Sequence, residues 1–208
     1  MHVARILYPV EVLGPGKRIG IWLCGCPHKC KGCSNPELWV SDDKYLISVS
    51  TLLKLIEKIA GENHIDGFTI TGGEPFYQPN ELFELVCEIE KLSKDILIYS
   101  GYTLLELEEM KSQSVCGVLE KAAVLIDGRY IESQNTNAFL RGSQNQAVQI
   151  LNDSFKALYE DFFLTGENKI QNFTSGNSVI SVGIHRAGFT DELYSFTEKK
   201  GLVKGRTT

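Results

Sequence analysis

Six cysteines constrain this 208-residue chain more than anything else in it, because four are crowded together as Cys24, Cys26, Cys30 and Cys33. Cys87 and Cys116 stand alone. A disulfide framework spreads its cysteines through a small secreted chain that cannot build a sufficient core. This chain is long enough for one cored domain with a modest extension, and Met1–Val12 has no signal-peptide layout. Crowded thiols then point to metal binding or redox work. The order Cys26-Pro27-His28-Lys29-Cys30-Lys31-Gly32-Cys33 puts three thiolates on one short loop, close enough to converge on a single centre. Iron–sulfur clusters are held by cysteine thiolates, normally four, so three would leave one iron of a cubane cluster open. A structural zinc ion with Cys24 as fourth ligand is the competing reading, which would make the chain a zinc-stabilised binding module.

The rest of the composition narrows the class. A 43% apolar and 23% charged chain has the means to bury a core and is too apolar for disorder. Its net charge of −5 gives no basic field for nucleic acid. No stretch approaches the roughly 18 apolar residues of a membrane span. The expectation is a cytoplasmic protein that binds neither nucleic acid nor membrane.

Strand-like and helix-like stretches alternate along the chain. His2–Tyr8 and Arg18–Leu23 flank the turn Gly14-Pro15-Gly16 and read as paired strands. Val49–Ala60 and Pro79–Leu92 carry apolar residues at helical spacing, and Thr103–Met110 reads as a third helix. Gly67–Thr71, Asp95–Ser100, Ala122–Ile126, Ala147–Leu151 and Ser178–Gly183 read as strands. Such alternation implies parallel strands joined by crossovers, in an open sheet or a barrel, with chemistry on loops at the carboxyl ends of strands. The cysteine loop, Gly72-Gly73-Glu74, Ser100-Gly101 and Asp127-Gly128 all follow strands and should share one rim.

The cysteine loop followed by Thr71-Gly72-Gly73-Glu74-Pro75 resembles the radical S-adenosylmethionine (SAM) superfamily. The resemblance implies an α/β fold, a partial (β/α)6-type barrel of the radical SAM kind with a C-terminal extension. It implies that Cys26, Cys30 and Cys33 hold a 4Fe–4S cluster whose free iron chelates SAM, and that Gly72, Gly73, Glu74 and Pro75 form the segment that meets the SAM amino group. Glycines let a backbone approach a ligand closely, and a carboxylate suits an ammonium. Gly25–His28, Cys30–Asn35, Leu38-Trp39, Tyr99–Thr103, Leu125–Tyr130 and Arg141–Gln146 look like the activating enzymes of anaerobic (class III) ribonucleotide reductases. By that similarity Ser100, Tyr102 and Asp127 lie near SAM, and the loop beginning at Arg141 closes the site. The implied activity is reductive SAM cleavage to a 5′-deoxyadenosyl radical that installs a glycyl radical on a partner enzyme, with a flavodoxin- or ferredoxin-type electron donor. A stand-alone enzyme acting on a small molecule or peptide is the alternative. No side chain beyond those bearing the cofactors is needed as catalyst.

The likeness spans about residues 5–151, so 1–151 is expected to form the core and 152–208 an extension packed on it. Cys87 and Cys116 are expected in the core, Cys24 in a strand, and His28 facing solvent or bonding behind the cluster loop. Trp39 is expected to pack that loop, His185 and Arg186 to lie on the surface, and Lys199–Thr208 to form a loose tail.

Overall fold

A computed structural model describes residues 1–175, 178–189, 192, 193 and 195. Its centre is a six-stranded sheet in chain order: β1 (Val3–Val10), β2 (Arg18–Leu23), β3 (Gly67–Gly72), β4 (Ile96–Tyr99), β5 (Val124–Asp127) and β6 (Ala147–Ile150). The pairs from β2 through β5 are parallel, while β1 and β6 flank them antiparallel. This is the mixed α/β arrangement that the alternation implies. The parallel strands need crossovers. These are α1 (Val49–Glu62), α2 (Pro79–Ile89), and the pair α3 (Leu104–Glu109) and α4 (Gln113–Lys121). Local signals start them: Ser48 caps α1 by accepting the Thr51 amide, and Thr103 with Glu106 forms a capping box on α3.

Alternation along the strands sorts the core onto two faces. Ile19, Ile21 and Leu23 of β2 join Phe68, Ile70, Ile96 and Ile98 beneath α1, α2 and α4. Trp22 and Cys24 point the other way, with Leu97, Tyr99 and Ile126 on neighbouring strands. That second face is covered by the chain after β6. Helix α5 (Lys156–Thr165) buries Tyr159 beside Leu97 and Leu140, and the hairpin β7 (Ile170–Ser175) with β8 (Ser178–Gly183) buries Val182 beside Leu13 and Trp22. Gln171 fixes the hairpin to the first strand, accepting the Glu11 amide at 3.0 Å and donating to the Pro9 carbonyl at 2.7 Å.

Arg18 opens β2 yet is fully buried. Its guanidinium donates to both carboxylate oxygens of Asp95, to Thr69 Oγ1 and to the carbonyls of Pro15, Phe68 and Asp95. Tyr159 of α5 adds a hydrogen bond to Asp95 Oδ1 at 2.6 Å. Burial opposes the charge on Arg18, but the surrounding acceptors and Asp95 outweigh it and hold the guanidinium charged. This network ties the end of the sheet opposite the strand-end loops.

Three elements lack a clear signature and were not expected: α4, α5 and β7. Cys116 corrects another expectation. It lies exposed on α4, because Val115, Gly117 and Val118 supply that helix's buried side. Cys87 is half-buried on α2, and Lys199–Thr208 lies outside the described residues. Tyr159→Phe removes one charge-assisted bond and should cost about 1.5–3 kcal/mol in urea unfolding. Asp95→Asn leaves a buried guanidinium undercompensated and should cost about 3–5 kcal/mol.

Candidate functional site

The loops leaving β2, β3, β4 and β5 meet around one cavity holding about 1050 Å³ of free space, part of it open to solvent. Cys26, Cys30 and Cys33 line it, together with Gly72, Gly73 and Glu74 after β3 and Ser100 and Gly101 after β4. Two close approaches explain why glycines stand in these loops. A Cβ on Gly73 would sit 2.4 Å from the Gly25 carbonyl oxygen, the atom that accepts the Glu74 amide at 2.8 Å. A Cβ on Gly101 would fall 2.3 Å from the His28 ring. Backbone packing thus presses the cysteine loop against its neighbours.

The Glu74 carboxylate joins them. It is 1% exposed. Oε1 accepts from the Phe76 amide at 3.0 Å and the Ser100 hydroxyl at 2.9 Å. Oε2 accepts from the Gly101 amide at 2.7 Å and lies 3.2 Å from His28 Nε2. An ionised carboxylate offers about four acceptor positions, so these donors occupy it. That contact commits the Nε2 side of the His28 ring to the carboxylate. Tyr102 packs edge-on against that imidazole, 4.4 Å between centroids. His28 is therefore the buried bonding residue of the two roles open to it.

The three thiols are free, and backbone N–H groups approach two of them. Burial pushes the Cys26 thiol up in pKa, while the amides of Lys29 and His28 pull it down. Burial likewise raises Cys33, against the Asn35 amide, 3.4 Å from its sulfur, and the Trp39 indole. The Trp39 Nε1 is buried and has no hydrogen-bond partner. Its backbone is strapped to the loop, with the Trp39 carbonyl accepting the Cys26 amide at 2.9 Å. Donors facing thiol sulfurs, one of them unsatisfied, fit thiolates that carry an iron–sulfur cluster. Among the described residues no three of His, Cys, Asp and Glu gather tightly enough for a single metal ion. Cys24 sits apart. Its side chain is buried in the core, and burial pushes its thiol up to about 11.

The remaining candidates fall into a supporting layer. Pro75 is buried and opens a short turn. Asp127 is buried and accepts the Leu104 amide at 2.7 Å, which fixes the start of α3. The Tyr102 amide donates to Ser100 Oγ at 3.0 Å. Arg141 Nη1 donates to the Gln146 carbonyl at 3.2 Å, and its Nε is buried without a partner. None of these four belongs to the cavity lining, whereas Gly142 and Gln146 of the same loop do. The expectation for His185 needs correction. It is half-buried and lines the cavity with its neighbours from Ser181 onward, while Arg186 is exposed. The apolar alternation Ile180, Val182, Ile184 was the available signal, since such a face must cover something.

Comparison with known proteins finds an iron–sulfur family and its relatives. A family model described as "4Fe-4S single cluster domain" matches residues 12–149. The anaerobic ribonucleoside-triphosphate reductase-activating protein of Enterobacteria phage T4 is 33% identical over 153 residues, covering 71% of this chain and 93% of that protein. The protein of the same name from Salmonella typhimurium is 32% identical over 151 residues, covering 69% and 96%. That of Escherichia coli is 31% identical over 152 residues, again covering 69% and 96%.

Glu74→Ala strands several donors at once and should lower stability by about 3 kcal/mol or more in urea unfolding, against about 1 kcal/mol for Ser100→Ala. In metal-free protein at neutral pH, iodoacetamide should label exposed Cys116 first and Cys24 last, read by peptide mass mapping.

Proposed function

This chain belongs to the 4Fe-4S single cluster domain family and resembles its anaerobic ribonucleoside-triphosphate reductase activators, and from that premise we propose that it is a radical SAM activase. Its partner in this reading is an anaerobic ribonucleotide reductase, on which it installs a glycyl radical. The observation that carries the reading is a single cavity lined by three free thiols and by the Gly72-Gly73-Glu74 segment, with N–H donors turned toward Cys26 and Cys33. Curling of the sheet into a partial barrel of the radical SAM kind, with 1–151 as core and 152–208 as extension, belongs to the same reading.

Cys26, Cys30 and Cys33 would hold a 4Fe–4S cluster with one iron left for SAM. When bound, that group supplies one electron to SAM, whose C–S bond then breaks to give methionine and the 5′-deoxyadenosyl radical. The chain's own work is placement. Gly72 and Gly73 bring main-chain atoms close enough to meet the SAM ammonium. Glu74 lends its negative charge from behind them while its oxygens hold His28, Ser100 and Gly101. Asp127, Tyr102, Pro75 and Arg141 brace the loops that touch the nucleotide. The Trp39 indole N–H, buried without a partner, would donate to a Cys33 thiolate and keep water from that side of a bound cluster. A flavodoxin- or ferredoxin-type protein of the cytoplasm would deliver the electron.

Anaerobically reconstituted protein should be brown and carry about four iron and four sulfide per chain. Cys30→Ala should lose both the cluster and SAM cleavage. Incubation with SAM, reductant and the anaerobic reductase from the same genome should give a glycyl electron-spin signal. A colourless zinc protein would end the reading. SAM cleavage without any radical on the reductase would instead favour a small-molecule or peptide substrate. Trp39→Phe removes the indole N–H available to a Cys33 thiolate and should lower the cluster midpoint potential by about 20–40 mV, measured by spin-monitored redox titration.

A further inference from the structure

Asn168 lies beyond residue 149, where the family match ends, yet its side chain reaches a loop inside that match. Its Oδ1 accepts the Leu140 amide at 3.0 Å. Its Nδ2 donates to the carbonyls of Asn137 at 3.0 Å and Ala138 at 3.1 Å, and lies 3.3 Å from Asn137 Oδ1. One carboxamide thus serves the backbone from Asn137 to Leu140, where no strand or helix supplies partners.

That backbone needs holding. A turn closes where the Arg141 amide donates to the Ala138 carbonyl at 3.1 Å, and it puts Leu140 at a φ of +58°. Asn137, just before the turn, has the same φ. Glycine is the usual occupant of such a turn position, and a bulky residue keeps it only where its surroundings over-determine it. Leu140 meets that condition from three sides. Asn168 takes its amide, its carbonyl accepts the Tyr99 hydroxyl at 3.0 Å, and its side chain is buried in one cluster with Leu97 and Tyr159. Phe139 stacks against Phe162 and Phe163 of α5. From this turn the chain runs directly into Arg141–Gln146, and Gly142 and Gln146 of that loop line the cavity of the three cysteines.

We propose that Asn168 is a positioning residue for SAM binding: from outside the family match it fixes the turn at Asn137–Leu140, and through that turn it sets where Gly142 and Gln146 stand on the cavity wall. The inference rests on the activase reading and gives the segment after β6 a part in it. Asn168 is not among the residues that line the cysteine cavity, so it acts through the loop and not on the nucleotide. Without its side chain the Leu140 amide and the Asn137 carbonyl lose the partner they have here. An unpaired amide beside a left-handed turn removes what offsets the strain, and the turn relaxes. The residues next to it then leave the position in which a ligand meets them, and a pre-organised wall becomes one that must be ordered on binding.

The test uses the full reconstituted chain, with SAM cleavage and amide hydrogen exchange as readouts. Asn168→Ala should raise KM for SAM about tenfold and leave kcat within about twofold, at wild-type iron content, because a looser wall weakens binding without touching the cluster. Exchange over residues 137–142 should quicken in the same variant, while the strands β2 and β3 keep wild-type protection. Asn168→Asp is the milder change: it keeps an acceptor for the Leu140 amide, loses the donors to the two carbonyls, and should raise KM at least about threefold. Tyr159→Phe serves as control, since it loosens α5 at Asp95 and not at the turn; its KM for SAM should stay within about twofold of wild type. An unaltered KM in the two Asn168 variants, or an equal rise in Tyr159→Phe, would overturn the positioning role, and quicker exchange with an unaltered KM would reduce Asn168 to a brace of the fold. A wild-type chain that binds no SAM would instead overturn the activase reading, and that control tells the two failures apart.

Discussion

One buried carboxylate organises the cavity. Glu74 comes from the loop after β3, but its donors come from the loops after β2 and β4 as well as its own. No other side chain described here binds three strand-end loops at once. Removing its charge would not empty a pocket; it would release His28 from the cysteine loop and Ser100-Gly101 from the next strand end. The cost of leaving such donors unpaired in a buried setting exceeds what any one of their bonds contributes. The position of Cys26 and Cys30 therefore depends on an acid more than forty residues further along the chain.

At the far end of the sheet, Arg18 and Asp95 do a different task. Their ion pair is fully buried and supplied with hydrogen bonds on every side, the condition under which such a pair holds a fold together. Tyr159 brings the chain after β6 into that network. One end of the sheet is thus a rigid lock, and the other carries loops rich in glycine and cysteine. Catalytic groups on strand-end loops above a firmly tied base are the usual division of labour in parallel sheets.

Much of this was legible in the sequence, for identifiable reasons. The strands β2, β3, β4 and β5 are short apolar runs followed by glycine or polar residues, and the cysteine spacing is unmistakable. The helices α1 and α2 have strong apolar periodicity. What escaped were elements whose local pattern is weak: α4 has a glycine in its middle, and α5 has apolar residues all round, several of which pack against Phe139. Glu74 was legible as a site residue, but its immediate partners were not. A sequence reveals that an acid stands beside two glycines; it does not reveal that four protein donors already surround it. His185 was misjudged for a related reason, since its burial depends on where a distant hairpin lands.

The hairpin's place in the chain has a temporal consequence. Residues 26–33 and all six strands of the sheet emerge from the ribosome before Ser181–His185 do, and chains acquire structure from the N-terminal side during synthesis. The thiols accordingly exist, on a sheet already able to form, while one flank of their chamber still stands open. A cluster placed on those thiols in that interval would meet no obstruction from Ser181–His185. Docking of the hairpin afterwards would convert a loading bay into a working chamber.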